Sequence, residues 1–338
     1  EQPLFTYNRT KMQLRELELS LENAQLNFTL QQLNIEKNVT TSFYSVYQSQ
    51  KDLQIARDEV ENQRKNAEII SRKAEAGLVP REEQYQAEVN LAMAEATFNN
   101  RQIAFKDAKD RFKLLIGMAL DRDFVLLPNI EILPVLVDVE EAVRHGLELR
   151  TEIRQQQITV EKNMFTLVRT KSDNEFHGSL SARVGLDALA GKVKNMYDNP
   201  TDNEQIGVTL SIPIFDWGAK RARVKSTELG IEATELNFEE ERKTIILDIR
   251  QVCHRLPVLL NQVEIQRKGV ENAERTYNIQ LEKYRNGNLS GMELQQYQNQ
   301  LTQAKRSYTD AIISYKLELL NLKIQTLWDF ENNCPFVK

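Results

Sequence analysis

The chain repeats itself at a fixed offset of 210 residues, and nothing else in it constrains the fold so tightly. Pro3-Leu4-Phe5 returns as Pro213-Ile214-Phe215, and Leu26-Asn27-Phe28 returns as Leu236-Asn237-Phe238. At the same offset Ile55, Arg57 and Val60-Glu61-Asn62 match Ile265, Arg267 and Val270-Glu271-Asn272. Gly77, Glu83, Leu91, Ala94 and Lys113 match Gly287, Glu293, Leu301, Ala304 and Lys323 without any insertion or deletion. One residue added to a long packed helix turns everything beyond it by about 100° and takes its apolar stripe off the core. Loops drift in length. Constant spacing therefore points to long helices.

The 12 glycines and 8 prolines are few for 338 residues, which again means few turns and long elements. The balance of 44 Lys and Arg against 49 Asp and Glu leaves a net charge of −5, so a basic nucleic-acid footprint is absent. No stretch approaches the ~20 consecutive apolar residues of a membrane-spanning helix, and residues 1 to 30 lack an apolar signal core. Neither fact bears on a membrane β-barrel, whose signal per strand is weak. Cys253 and Cys334 are too few for a disulfide framework and read as structural, with a bridge between them left open. His145, His177 and His254 are scattered, so no metal site is expected. No nucleophile-and-base motif or phosphate-binding glycine loop is present, and neither enzyme activity nor a cofactor is expected.

From about Asn8 to Ala76 helical periodicity runs without proline or glycine, a segment of about 100 Å at ~1.5 Å per residue. Its copy from Gly218 to Asn286 contains Pro257, aligned with Tyr47, where a kink is expected. Gly77 and Gly287 suit the left-handed end of a helix, and Pro80 and Ser290 the start of the next. In the second return helix Leu294, Tyr297, Leu301, Ala304, Tyr308, Ala311 and Tyr315 form a heptad seam. Ala87, Leu91, Ala94, Phe98, Phe105, Ala108, Phe112 and Leu115 hold the same register in the first, interrupted by Arg101. Each copy is a very long antiparallel helical hairpin.

Between the copies, Gly117 to Pro134 is apolar and bounded by proline, and Val139 to Val168 regains helical spacing. Residues 179 to 186 then alternate, with Leu180, Ala182, Val184 and Leu186 on one face. Residues 206 to 212 alternate likewise, and Asp187 to Gln205 between them is rich in turn-forming residues. These spacings predict a long-looped β-hairpin with one apolar and one polar face. A water-filled barrel in lipid needs that alternation, though a soluble sheet half-buried on a core reads the same.

The run Ile212-Pro213-Ile214-Phe215-Asp216-Trp217-Gly218, the turns Ala76-Gly77-Leu78 and Asn286-Gly287-Asn288, and the duplication together resemble TolC-like outer membrane efflux proteins. The resemblance covers essentially the whole chain. It implies a mainly α fold with a small β part: long antiparallel helical hairpins forming an α-barrel, and a β-hairpin contributing to a trimeric outer-membrane β-barrel. Residues 1–118 would be the first repeat, 119–175 an equatorial mixed segment and helix, 176–215 the barrel hairpin, 216–330 the second repeat and 331–338 a tail. Glu1 aligns with Ser211, so the strand hairpin of the first copy is absent, and a truncated or processed chain is expected.

By the same resemblance, acidic positions after the turns line a periplasmic entrance, here Glu83 and Glu293, with Gln86 and Gln296 in place of a second acid. Six carboxylates in a trimer would attract cations and raise one another's pKa. The plainer reading of Glu83 and Glu293 is a favourable charge in the first turn of a helix. Tyr284 matches a tyrosine that ties the family's closed entrance, although Ala74 and Leu289 stand where its counterpart and basic partner belong. Its spacing after Val270, Ala273, Tyr277 and Leu281 favours a seam residue.

Gly77, Leu78, Val79, Gly287, Asn288 and Leu289 would be tips that meet a periplasmic adaptor protein; Leu78, Val79 and Leu289 have no evident core to enter. The function implied is a homotrimeric exit duct of a tripartite efflux or type I secretion system. It would sit in the outer membrane lipid with most of its chain in the periplasm, gated by its coiled coils and served by an adaptor and an inner-membrane pump. The alternative is a periplasmic adaptor-like or coiled-coil scaffold protein without channel activity.

Overall fold

The computed structural model describes residues 2–4, 7–127, 130, 132, 134–172, 177–187, 201–212 and 214–336. The fold is mainly α with a small β part. Helix α1, Arg9–Glu75, and helix α5, Ala219–Arg285, are 67 residues each and begin and end 210 positions apart. Their return partners are α2, Arg81–Leu115, and α6, Gly291–Thr326. Pro257 lies inside α5, which continues through it as helix.

The chain divides into two compact units, one of residues 1–29 and 151–244 and one of residues 30–150 and 245–338. In the first, the start of α1 packs with α4, Thr151–Ser172, around Leu19 and Ile158, both almost fully buried. Ion pairs flank that seam: Arg15 with Glu161 at 3.0 Å, Arg154 with Glu22 and Arg169 with Glu16.

The same unit carries a three-stranded antiparallel sheet in the order β1 (Gln2–Leu4), β2 (His177–Asp187), β3 (Thr201–Ser211). The expected strands are real and longer than the alternation alone marked, and the turn-rich segment is narrower than predicted because β3 begins at Thr201. Residues 188–200 of that segment lie outside the described residues. The sequence analysis expects no strand hairpin in the first copy, yet a short strand stands at its start: Gln2–Leu4 pairs with Leu180, Ser179 and Gly178, adding an edge to β2.

In the second unit α3, Val139–Leu149, is capped by Asp138, whose carboxylate accepts the Glu140 N–H at 3.0 Å. It packs on α6 at Gly146, where backbone and the Ile249 side chain leave no room for a Cβ. A core cluster gathers Val46, Phe112 and Leu126, so the apolar run after Gly117 folds back on its own hairpin. The matched lysines Lys113 and Lys323 each tie down the segment after a return helix. Lys113 donates to the Leu120 carbonyl at 2.9 Å, and Lys323 pairs with Asp329 at 3.1 Å. Short strands β4, Trp328–Asp329, and β5, Cys334–Pro335, close the chain. Cys253 is buried and Cys334 exposed, and both are free, which removes the bridge left open by the sequence.

Candidate functional site: the hairpin tips and the amphipathic hairpin

Both tips end in the same backbone motif. Leu78 N–H bonds to the Lys73 carbonyl at 2.8 Å and Gly77 N–H to the Ala74 carbonyl at 3.0 Å; Asn288 and Gly287 repeat this on Lys283 and Tyr284. The motif needs a left-handed residue, and Gly77 and Gly287 supply it at φ 71° and 78°. Beyond the glycine the two copies diverge. Pro80 takes the N-cap position of α2 without a side-chain bond, whereas Ser290 and Glu293 form a reciprocal capping box at the start of α6. Hydrogen bonds from the Ser290 backbone and hydroxyl hold the Glu293 carboxyl below the usual carboxylate range.

Beneath the tips, Ile70, Ala87, Tyr277, Tyr284, Leu294 and Leu301 form one apolar cluster that joins the two hairpins. Val79 and Leu289 pack against it, so of the three apolar tip residues expected to be exposed only Leu78 stands out, at 74%. The turn brings the side chain after the first tip residue back over the seam, a fold-back that sequence spacing does not display. Tyr284 is 3% exposed and continues the seam with Ala273, Tyr277 and Leu281. Its hydroxyl has no hydrogen-bond partner among the described residues, and burial together with Glu83 pushes its pKa up to about 12. Lys73 of the first hairpin reaches across to it, donating to the Tyr284 carbonyl at 3.0 Å with its ammonium 5.0 Å from the ring.

Glu83, Gln86, Gln296 and Tyr284 line one groove of about 760 Å³. Glu293 opens instead on an adjoining cleft of about 750 Å³ that Glu83 and Tyr284 also line, together with Leu78 and Asn288. The predicted entrance and tip residues are thus neighbours.

Polar links between the hairpins also escaped sequence reading. The Glu59 carboxylate accepts from Gln63 at 2.9 Å, Gln298 at 2.8 Å and Thr302 at 3.2 Å, with Gln63 and Gln298 buried. Asp52 faces Arg306 of the other hairpin at 3.6 Å and Arg101 of its own at 3.1 Å. The interruption of the seam by Arg101 was the available signal. An arginine in an apolar register calls for a carboxylate opposite.

The β2–β3 register puts Leu180 opposite Val208, Ala182 opposite Ile206 and Gly178 opposite Leu210 on one face. Ser179 opposite Thr209, Ser181 opposite Gly207 and Arg183 opposite Gln205 occupy the other. The apolar face is uncovered, with Val184 and Ile206 both about 80% exposed. At its distal end Glu204 opposes Val184 and Asp202 opposes Leu186, which bounds the apolar band. Among the described residues no helix is long and apolar enough to cross a membrane, and no group of residues is arranged to hold a metal ion.

Solved structures similar to this chain include outer-membrane channels. The Campylobacter jejuni CmeC outer membrane channel superposes with a TM-score of 0.76 at 16% identity, over 92% of this chain and 66% of that one. The Neisseria gonorrhoeae MtrE outer membrane channel, in its open state, gives 0.72 at 14%, over 93% and 71%. The outer membrane protein VceC from Vibrio cholerae gives 0.70 at 15%, over 91% and 73%. The chain therefore has their fold and spans about two thirds of the length of the first. No curated protein matches it in sequence. The family model of the outer membrane efflux protein matches residues 1–118 and 175–323, and the chain belongs to that family.

Proposed function

We propose that this chain is the wall of an outer-membrane exit duct, three copies closing into one pore that passes cargo delivered from an inner-membrane pump through a periplasmic adaptor. The observation that carries the reading is the uncovered apolar face of β2–β3 backed by a polar face in strict register. An apolar face of that size is unfavourable in water and fits lipid, and the opposite polar face fits a water-filled lumen. Eleven residues of β2, tilted as barrel strands are, span roughly 25 Å of hydrocarbon. An open strand edge is not tolerated in lipid, so the barrel must be completed by other strands, and two near-equivalent hairpins per chain in a trimer give six walls.

In this reading the tips form the periplasmic mouth, with Glu83 and Glu293 facing it, and exposed Leu78 and Asn288 meet the adaptor. Mouth opening moves one hairpin against the other, and the Glu59 and Asp52 links resist that movement. Planar-bilayer conductance of the protein from outer-membrane fractions tests the pore. Discrete channel events are expected, and a chain that stays in the aqueous periplasm without conductance overturns the proposal in favour of a scaffold. Glu83→Gln with Glu293→Gln should reduce cation preference, and unchanged selectivity removes the carboxylates from the mouth. Leu78→Asp should abolish adaptor co-purification while leaving conductance intact.

A further inference from the structure

We propose that the foot of the β2–β3 hairpin holds the headgroup of an anionic phospholipid from the periplasm-facing leaflet, an inference that rests on the barrel reading above. Here a cavity of about 930 Å³ lies between α4 and the start of α5. Lys171 from α4 and Lys220, Arg221 and Lys225 from α5 line it, and the carboxylates among its described lining are those of Asp216 and Glu228.

Asp216 is already committed: its carboxylate accepts the backbone N–H of Gly218 at 3.0 Å and of Lys220 at 2.8 Å, capping α5. Glu228 is shared loosely, 3.7 Å from Lys171 and 4.0 Å from Lys225. Among the described residues, Lys171, Arg221 and Lys225 are set against Glu228, and positive charge is left over. Arg221 and Lys225 sit in the first turns of α5, where the helix dipole disfavours cations. Such an arrangement is offset best by an anion from outside the chain.

The surroundings decide which anion. Ile214, Phe215 and Trp217 beside the cavity are 95%, 70% and 89% exposed, and the two rings meet edge to face at 4.7 Å. Ile214, Phe215 and Val224 form the apolar part of the lining. A free inorganic anion has no use for uncovered aliphatic and aromatic surface, whereas an amphiphile presents its phosphate to the cations and its glycerol and acyl chains to Phe215 and Trp217. Trp and aromatic rings favour the headgroup level of a bilayer. A zwitterionic headgroup would bring an ammonium against Lys171 and Lys225, so the site selects net negative headgroups. Sequence reading passed over these residues, although Lys220-Arg221-Ala222-Arg223-Val224-Lys225 following an exposed Phe-Asp-Trp was the signal.

The test reconstitutes the full chain in nanodiscs of phosphatidylethanolamine with a minority of phosphatidylglycerol and measures retained lipid by mass spectrometry. Wild type should enrich phosphatidylglycerol about tenfold over its share of the bilayer, with the enrichment collapsing in high salt. Lys171→Gln with Arg221→Gln and Lys225→Gln should bring it to parity, while Lys171→Arg with Arg221→Lys and Lys225→Arg retains it. Adding inorganic phosphate should not compete; if it displaces the lipid at millimolar concentration, the site is a phosphate site and the lipid proposal fails. Equal lipid composition in wild type and the neutralised protein, with both still inserted and conducting, overturns this proposal alone. A wild-type chain that fails to enter lipid overturns both it and the barrel reading.

Discussion

Replacing Tyr284 with Phe separates the two roles open to that residue. The ring is 3% exposed in the cluster that joins the hairpins, and its hydroxyl has no partner among the described residues. An unsatisfied buried hydroxyl costs about 1–3 kcal/mol, and removing the oxygen leaves the packing of the ring in place. The bond from Lys73 goes to the Tyr284 carbonyl, and its approach to the ring face needs no hydroxyl, so both survive the change. Tyr284→Phe should therefore stabilise the tip region by about 1 kcal/mol, or about fivefold in the local opening equilibrium.

A chain of two compact units is poorly served by a single unfolding midpoint, so hydrogen exchange of the amides around 281–298 is the suitable readout. Protection should rise about fivefold, with channel conductance unchanged. A fall in protection, or a pore that opens more readily, would mean that the hydroxyl bonds to a neighbouring copy in the assembled protein and acts as a latch. Alkaline titration gives an independent check. The folded state favours the neutral phenol, because burial raises the pKa of Tyr284 from 10.0 to about 12. This contribution is intact below pH 10 and lost as the pH rises towards 12; Tyr277, raised likewise, remains in the variant, so Tyr284→Phe should soften the alkaline loss without abolishing it.

Ser290→Ala removes the capping box and should cost about 1 kcal/mol at the start of α6, read as faster exchange at Met292 to Leu294, whereas Pro80→Ala, which loses no side-chain bond, should change exchange in α2 little. Gly146→Ala drives a Cβ into Ile249 Cδ1 and to 3.3 Å from the Gln325 carbonyl, and should destabilise the packing of α3 on α6 by about 1–3 kcal/mol, read as faster amide exchange in α3. Asp52→Asn leaves Arg101 and Arg306 without their carboxylate and should cost about 1–3 kcal/mol; Asp52→Asn with Arg101→Leu should recover part of it, since the apolar seam is restored.

The helices were legible almost to the residue because the constraint that preserved the 210-residue offset is the same one that packs them. Helix ends were legible through Gly77 and Gly287, whose φ values are what the motif demands. The strands were legible as alternation, and their extra length was hidden because Thr201 to Gln205 is polar on both faces and resembles a loop. The tips were partly misread: Leu78 and Val79 are adjacent and both apolar, yet one turn of backbone sends Val79 into the cluster and leaves Leu78 outside. No periodicity distinguishes them. The Glu59 link was invisible for a different reason. It joins side chains 239 positions apart, and glutamines carry no charge pattern to announce the partner.

The ends of the two return helices show how one backbone solution is filled by opposite side chains. Gly117 and Leu327 occupy matching positions and are both left-handed, at φ 69° and 51°. Glycine takes that conformation without strain, and a Cβ at Gly117 would meet nothing within 4 Å. Leucine in the same conformation costs about 1–2 kcal/mol. Burial offsets that strain, for Leu327 is 6% exposed, and its carbonyl accepts the Phe336 N–H at 2.9 Å beside the β4–β5 pair. There Trp328 stacks on His145 at 4.2 Å, so the second copy ends in a small clamp on α3, where the first runs on into residues 118–138. Burying a leucine is worth about 1.5–3 kcal/mol, slightly more than the strain. Leu327→Gly should then destabilise the clamp by about 1 kcal/mol, seen as a weaker near-ultraviolet signal from Trp328 on mild heating. Gly117→Leu adds the strain with no burial and should cost about 1–2 kcal/mol. If Leu327→Gly instead stabilised the clamp, strain would outweigh burial there, and the second copy would have kept leucine for a contact that this chain alone does not make.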